Sequence, residues 1–149
     1  MSMDLFTSSH TMGNFWKAFL TALVGSVVAN LIILYALRPF VTIPAMPLAS
    51  LALLPVVSLT IIGVIGATIV YAIMRAFLAR PQTPFIWVSI VVLLLSLIPD
   101  YLIIGMTTGH FAGATFASAS TLMLMHVAAA IITVWALVKM WGAKSSIAR

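Results

Sequence analysis

The chain has few of the residues on which most catalytic and redox chemistry depends. Its 149 residues include no cysteine and only two acidic residues, Asp4 and Asp100, so glutamate is absent. Without cysteine there is no disulfide, no thiolate nucleophile and no Cys-ligated metal centre. The two aspartates are too far apart in sequence to suggest the paired carboxylates of hydrolytic enzymes. The composition therefore argues against an enzyme, and we expect no cofactor and no metal.

Charge is also scarce, and apolar residues take its place. Charged residues make up 6% of the chain and hydrophobic residues 64%, whereas soluble domains have about 25% and 45–50%. A helix needs about 20 apolar residues to cross a bilayer. Four runs meet this length, at about 18–37, 51–74, 85–106 and 116–140. Residues 1–14 show no helical apolar period and are predicted to be mobile.

These runs predict an all-α fold, an integral membrane four-helix bundle formed by one transmembrane domain over residues 1–149. The connections are short, so neighbouring helices are expected to be antiparallel. Small residues four positions apart occur as Gly25/Ala29 in the first run and Gly63/Ala67 in the second. Such pairs allow membrane helices to approach closely, and both are predicted to lie in helix contacts.

The basic residues predict the orientation of the bundle. The net charge is +5 and the chain has seven Lys and Arg residues. Arg38 falls on one side of the membrane if the runs alternate in direction. The others fall on the opposite side: Lys17, Arg75, Arg80, Lys139, Lys144 and Arg149. The positive-inside rule then predicts cytoplasmic termini in a bacterial inner membrane. No basic patch is large enough to suggest nucleic acid as a partner.

Polar residues within the runs recur at helical spacing. They form three stripes, which are Ser26/Asn30/Arg38, Ser89/Ser96/Asp100 and Ser118/His126/Thr133. Ser58 and Thr60 lie in the same layer of the second run, beside Pro55. Lipid cannot satisfy polar groups, so these stripes are predicted to turn inward and to line a polar cavity open to the outside. The candidate ligand-binding residues are His126, Asp100, Arg38, Asn30, Ser96 and Ser58.

Each candidate also has a purely structural interpretation. Arg38 and Asp100 can form an ion pair at the rim that fixes topology. His126 can hydrogen-bond a neighbouring serine or carbonyl, and Asn30 can join two helices. A metal site of His126, Asp100 and His110 can be drawn, but its spacing matches no characteristic metal motif.

Three short motifs resemble a family of small bacterial four-span membrane proteins of unknown function. They are Asn30-x-x-x-x-Tyr35-x-x-Arg38, Ser96-Leu97-Ile98-Pro99 and Leu122-x-x-x-His126. The resemblance covers most of residues 18–138. It implies the four-helix topology and draws attention to Asn30, Arg38 and His126, but it implies no activity.

Three functions remain open from the sequence. The leading hypothesis is a non-enzymatic protein that binds, and in one version transports, a small molecule or lipid. The second is a structural or accessory subunit that docks on a larger membrane complex or on another copy of itself. The third is a membrane enzyme in which His126 acts as base and Arg38 holds an anionic group. The lack of a second acid or nucleophile places it last.

Overall fold

The computed structural model describes residues 3–41, 52–108 and 112–141, with side chains from Met12 onward. Every regular element in these ranges is helical. The elements are α1 (Met3–Leu37), a 3₁₀ turn (Arg38–Phe40), α2 (Leu53–Phe77), α3 (Gln82–Leu102), α4 (Phe116–Ala136) and a π-helical segment (Leu137–Trp141). The predicted all-α fold is confirmed.

Four helical segments are long and apolar enough to cross a membrane, and they bring the chain into contact with the lipid bilayer. Their mean hydropathy lies between 2.1 and 2.4, and their bounds are Met12–Phe40, Leu53–Phe77, Gln82–Leu102 and Phe116–Trp141. The helix α1 begins at Met3, so the backbone of the segment predicted to be mobile is helical. Its mobility stays a prediction.

The helices alternate in direction, which gives the bundle two ends. At one end α1 and α3 finish and α2 and α4 begin, and we call it the Asp100 end. The opposite end, called the Trp141 end, holds the short turn between α2 and α3 and the π-helical segment. A π-helical turn changes the direction of side chains relative to an α-helix.

The closest packing is between α1 and α4. A Cβ atom added to Gly25 on α1 would lie 3.0 Å from Cγ2 of Ile132 on α4, so the predicted small-residue contact exists at this position. One residue on, the Ser26 hydroxyl lies 3.2 Å from the Thr133 hydroxyl and 3.4 Å from the carbonyl oxygen of Ala129. Both hydroxyl residues are buried, and each satisfies the other in a region that water does not reach.

Aromatic side chains close the Trp141 end. Tyr71 on α2 packs against Phe85 on α3, with ring centroids 4.6 Å apart, and against Trp141 at 5.5 Å. The Arg75 guanidinium lies 4.8 Å above the Trp141 ring and donates a hydrogen bond to the Trp141 carbonyl. Arg75 therefore ties the end of α2 to the π-helical segment through a cation–π contact and a charge-assisted hydrogen bond.

The contact at Gly25 predicts the cost of a larger residue there. We expect Gly25→Leu to lower the free energy of unfolding by about 1–3 kcal/mol, because overpacking forces α1 away from α4. The matched control is Gly13→Leu, since no atom lies within 4 Å of a Cβ at Gly13. Unfolding in mixed micelles of mild and denaturing detergent measures both. Equal stability of the two variants would show that α1 and α4 are not in close contact at Gly25.

Candidate functional site

A groove with a volume of about 490 Å³ lies between α2 and α3, and α4 forms its floor. Most of its lining is apolar, from valine, leucine, alanine and glycine residues of the three helices. Asn30 of α1 also reaches it. The polar side chains among the lining residues are Asn30, Thr60, Ser89, Ser96, His126 and Thr133.

The groove exists because α2 and α3 diverge. They follow each other in sequence, yet they make far fewer contacts with each other than either α1 with α4 or α3 with α4. Gly63 and Gly66 widen the gap, since no atom lies within 4 Å of a Cβ at either position. The predicted close packing at Gly63 is therefore wrong, and this small residue lines open space.

The groove opens sideways along the middle of the two helices. Two of its lining residues show this, since Leu59 on α2 is 64% exposed and Val92 on α3 is 58% exposed. In a bilayer these positions face acyl chains rather than water. The sequence predicted a polar cavity open to the outside, whereas the observed groove is mainly apolar and faces lipid. The polar stripes contribute isolated groups to it and not a continuous polar wall.

Asn30 is held by a chain of hydrogen bonds that crosses from α1 to α2. Its Nδ2 donates to Oγ1 of Thr60 at 2.8 Å, and this hydroxyl donates to the carbonyl oxygen of Val56 at 2.6 Å. Asn30 is only 4% exposed, and its Oδ1 is buried without a hydrogen-bond partner among the described residues. A buried acceptor without a partner costs about 1–3 kcal/mol. Asn30 thus joins two helices, and its Oδ1 remains buried and unsatisfied.

Asp100 and His126 form a pair of titratable side chains at the site. Nδ1 of His126 lies 2.9 Å from Oδ2 of Asp100 and 2.9 Å from the carbonyl oxygen of Leu122. A carbonyl oxygen can only accept, so Nδ1 carries a hydrogen and donates it to Leu122. Oδ2 of Asp100 lies within ion-pair distance of the ring but has no hydrogen-bond partner among the described residues. Asp100 is buried at 7% exposure, whereas the His126 side chain is 42% exposed and lines the groove. The carboxylate therefore orients the ring from behind.

The structure does not bring Arg38 to this site. Arg38 follows the end of α1, belongs to the 3₁₀ turn and is exposed. Within the described residues Asp100 pairs with His126 instead, so the predicted rim ion pair is wrong. The eight-residue spacing from Asn30 keeps a side chain on one face only while the α-helix continues. Here the helix ends at Leu37.

Ser58 is likewise separate from the groove. Its hydroxyl donates to carbonyl oxygens of its own helix, at 2.8 Å to Leu54 and 3.3 Å to Pro55. Ser96 lines the groove, with its hydroxyl donating to the Leu93 carbonyl at 2.7 Å. His110, the third member of the metal site drawn from the sequence, lies outside the described residues.

Sequence reasoning placed Thr60 in the right layer but did not choose it as a site residue. A signal was present, because Val56, Thr60, Val64 and Thr68 recur every four residues on α2 and all are buried. That spacing marks the face that α2 turns toward the bundle. Ser58 is two residues from Thr60 and so cannot share this face.

The pairing of Asp100 with His126 predicts energetic coupling between them. We expect the losses of stability in Asp100→Leu and His126→Leu to be non-additive by about 1 kcal/mol or more in a double-mutant cycle. The matched control pairs Asp100→Leu with Arg38→Leu, which should be additive within about 0.5 kcal/mol. Unfolding in mixed micelles gives both cycles. If Asp100 is coupled to Arg38 and not to His126, the result would support the predicted ion pair at the rim.

Comparison with known proteins gives a family but no activity. The model of DUF6069, a family of unknown function, matches residues 10–142, which include all the groove residues. No curated protein and no solved structure matches the chain. The resemblance to a family of small four-span proteins of unknown function, which rested on three short motifs, is confirmed. The chain belongs to the DUF6069 family.

Proposed function

We propose that the protein binds an amphipathic small molecule or lipid in the groove between α2 and α3. The observation that carries this proposal is the groove itself, a mainly apolar space of about 490 Å³ lined by a few polar side chains, among them Asn30. Ligand pockets typically occupy about 300–1,000 Å³ and combine apolar walls with a few polar groups.

The position of the groove supports a ligand that arrives from the bilayer. Its opening faces lipid along the middle of α2 and α3, where exposed residues such as Leu59 and Val92 are apolar. A freely water-soluble molecule would lose its hydration to reach this opening, whereas an amphipathic molecule already dissolved in the membrane would not. The ligand can therefore enter sideways, without passing through the ends of the bundle.

Binding fits the site better than catalysis does. Asp100 orients His126 through Nδ1, as an acid orients a general base in serine hydrolases. A nucleophile would then have to contact the other ring nitrogen. Ser96 lines the same groove, but its hydroxyl donates to Leu93, and no bond between a serine and His126 forms within the described residues. The pair is thus suited to holding a polar group.

A second candidate function is that of an accessory subunit whose partner helix fills the groove. Small residues line the groove on two helices, with Gly63, Gly66 and Ala67 on α2 and Ala129 and Ala130 on α4. Membrane helices pack closely on such surfaces. The partner helix, from a second copy of this chain or from another membrane protein, would then cover the opening of the groove. In the first proposal a lipid-like ligand covers the same opening.

Filling the groove tests the first proposal. We expect Gly63→Leu and Gly66→Leu to fold, because the new side chains extend into open space. They should nevertheless abolish saturable labelling by a fatty alcohol that carries a photoreactive diazirine in its chain. The assay uses protein in lipid nanodiscs and locates the crosslinks by mass spectrometry. Gly13→Leu is the control, since Gly13 is outside the groove.

Three results are informative. Labelling of α2 and α3 peptides that saturates in the parent and is lost in the filled variants supports binding. Labelling that neither saturates nor responds to Gly66→Leu contradicts it. Stoichiometric copurification of another membrane protein, lost in Gly66→Leu, would replace the ligand by a partner helix.

We further propose that the termini are cytoplasmic in the bacterial inner membrane. Lys17, Arg75 and Lys139 all lie at the Trp141 end of the bundle, where Arg75 contacts Trp141. Exposed Trp16, at 52%, lies at the same end and suits the headgroup region. The positive-inside rule then places the Trp141 end in the cytoplasm, and the Asp100 end outside.

Single-cysteine labelling tests this orientation without background, because the chain has no cysteine. Thr108→Cys, in the connection after α3, should react with an impermeant maleimide added to intact cells. Ala79→Cys, in the turn between α2 and α3, should react only after the membrane is opened. The reverse pattern would invert the topology.

A further inference from the structure

We infer that the groove binds an amphiphile with a positively charged head group, and that this cation enters in exchange for one proton held by the pair of Asp100 and His126. The inference rests on the proposed function and adds the chemical class of the ligand and its link to pH. It follows from the burial of a carboxylate beside a groove whose described lining residues carry no other charge.

The pair is the part of the groove where charge can arise. Among the described residues that line the groove, His126 is the only titratable one, and none is Lys, Arg, Asp or Glu. Oδ2 of Asp100 lies 2.9 Å from Nδ1 of His126. Asp100 is 7% exposed and does not line the groove. Its charge therefore acts on a ligand across the His126 ring, through an electrostatic attraction that needs no direct contact.

The elements around the pair supply no second charge that contacts it within the described ranges. At the Asp100 end, α1 and the 3₁₀ turn carry Tyr35 and Arg38, and both are exposed. The titratable neighbour on α3 is Tyr101, which is 65% exposed. Helix α4 has no titratable side chain besides its histidine, and the titratable side chains of α2 belong to the Trp141 end. His110 lies outside the described residues.

The charge of the pair follows from the number of protons that it holds. Besides the hydrogen that Nδ1 donates to Leu122, the pair can bind no proton, one or two, which gives a net charge of −1, 0 or +1. The middle state is neutral overall whether the carboxyl group or the ring holds the proton. A net charge beside lipid is costly unless an opposite charge lies close to it. The empty groove is therefore expected to retain one proton on the pair.

A cation in the groove can replace this proton. When the cation enters, one proton leaves the pair for water, and the carboxylate charge is then balanced by the head group. Helix α3 ends at Leu102, two residues after Asp100, and residues 105–108 of the connection that follows are exposed. The proton can exchange with water at this end of the bundle. Linkage is reciprocal, so a proton that the cation expels must weaken binding of the cation by the same factor.

The rest of the groove suits the apolar chain of such a molecule. On α4 the lining continues from His126 to Val134, which spans about 12 Å at 1.5 Å per residue. Val70 and Phe85 line the groove from α2 and α3. An amphiphilic cation matches this arrangement with its head group beside the His126 ring and its chain directed toward Phe85.

Two probes that differ in charge but not in shape test the inference. They share one diazirine-bearing alkyl chain and end either in a trimethylammonium group or in the tert-butyl group of similar size. Neither end binds or releases a proton, so any effect of pH on binding comes from the protein. Saturable photolabelling is measured in phosphatidylcholine nanodiscs between about pH 5 and pH 9, a range that includes the ordinary pKa of histidine and those of buried carboxyl groups.

The parent protein should distinguish the two probes. Its affinity for the ammonium probe should rise with pH by up to about tenfold per pH unit, because one proton competes with one cation. Its affinity for the neutral probe should stay constant. At the upper end of the pH range the ammonium probe should bind at least about tenfold more tightly, given the strength of charge interactions near a protein interior. Calorimetry in two buffers of different ionisation enthalpy should detect proton release with the ammonium probe alone.

Asp100→Asn locates the origin of this preference, because it removes the charge and keeps the shape of the side chain. At the upper end of the pH range it should bring the ratio of the two affinities close to one and abolish proton release. Saturable labelling by the neutral probe then shows that the variant keeps its groove. The matched control is Arg38→Gln, which removes an exposed charge at the same end of the bundle. It should leave the ratio and its dependence on pH unchanged.

The outcomes separate this inference from the proposed function. Equal affinities for the two probes in the parent protein, or a preference for the ammonium probe without proton release, overturn the inference, while saturable labelling by the neutral probe still supports the binding groove. Absence of saturable labelling by both probes overturns both. A preference that survives in Asp100→Asn also overturns the inference. If Asp100→Asn binds neither probe, the pH profile and the proton release of the parent protein decide.

Discussion

The hydrogen bond between Asn30 and Thr60 is the interaction on which the site depends. Inside a bilayer no water is available to satisfy a side-chain amide, so each polar atom needs a partner from the protein or from a ligand. The bond satisfies Nδ2, links α1 to α2 and directs Oδ1 away from Thr60. One contact thus contributes to helix association and at the same time leaves an acceptor of a groove-lining residue buried without a partner among the described residues.

The groove results from uneven packing of the four helices. Gly25 allows α1 to approach α4, and the Ser26 and Thr133 hydroxyls bond across this contact. The turn between α2 and α3 and the packing of Tyr71 against Phe85 hold those two helices together at the Trp141 end. Nothing comparable joins them along the middle of the bundle, where Gly63 and Gly66 face open space. A tight α1–α4 contact and a loose α2–α3 contact leave room for a molecule from the bilayer.

The fold could be predicted from the sequence because a run of about 20 apolar residues has the length of a membrane-spanning helix, and few other structures can accommodate it. Helical spacing also placed Ser26, Asn30, Ser96, Asp100 and His126 correctly on bundle-facing or groove-facing sides. It failed for Arg38, because the α-helix ends one residue earlier, and for Ser58, which bonds to its own helix. The partner of His126 and the sideways opening could not be predicted. Both depend on how the helices tilt and pack against one another, which the periodicity of a single helix does not contain.

The most direct test of the account is the infrared stretching frequency of the Asn30 side-chain carbonyl. The sequence contains two asparagines, Asn14 and Asn30, so labelling asparagine with ¹³C at the side-chain carbonyl in an Asn14→Ser variant reports on Asn30 alone. In nanodiscs the account predicts a frequency typical of a free carbonyl, because the amide bonds Thr60 through Nδ2 and its Oδ1 has no partner among the described residues. A carbonyl that accepts a hydrogen bond would contradict it.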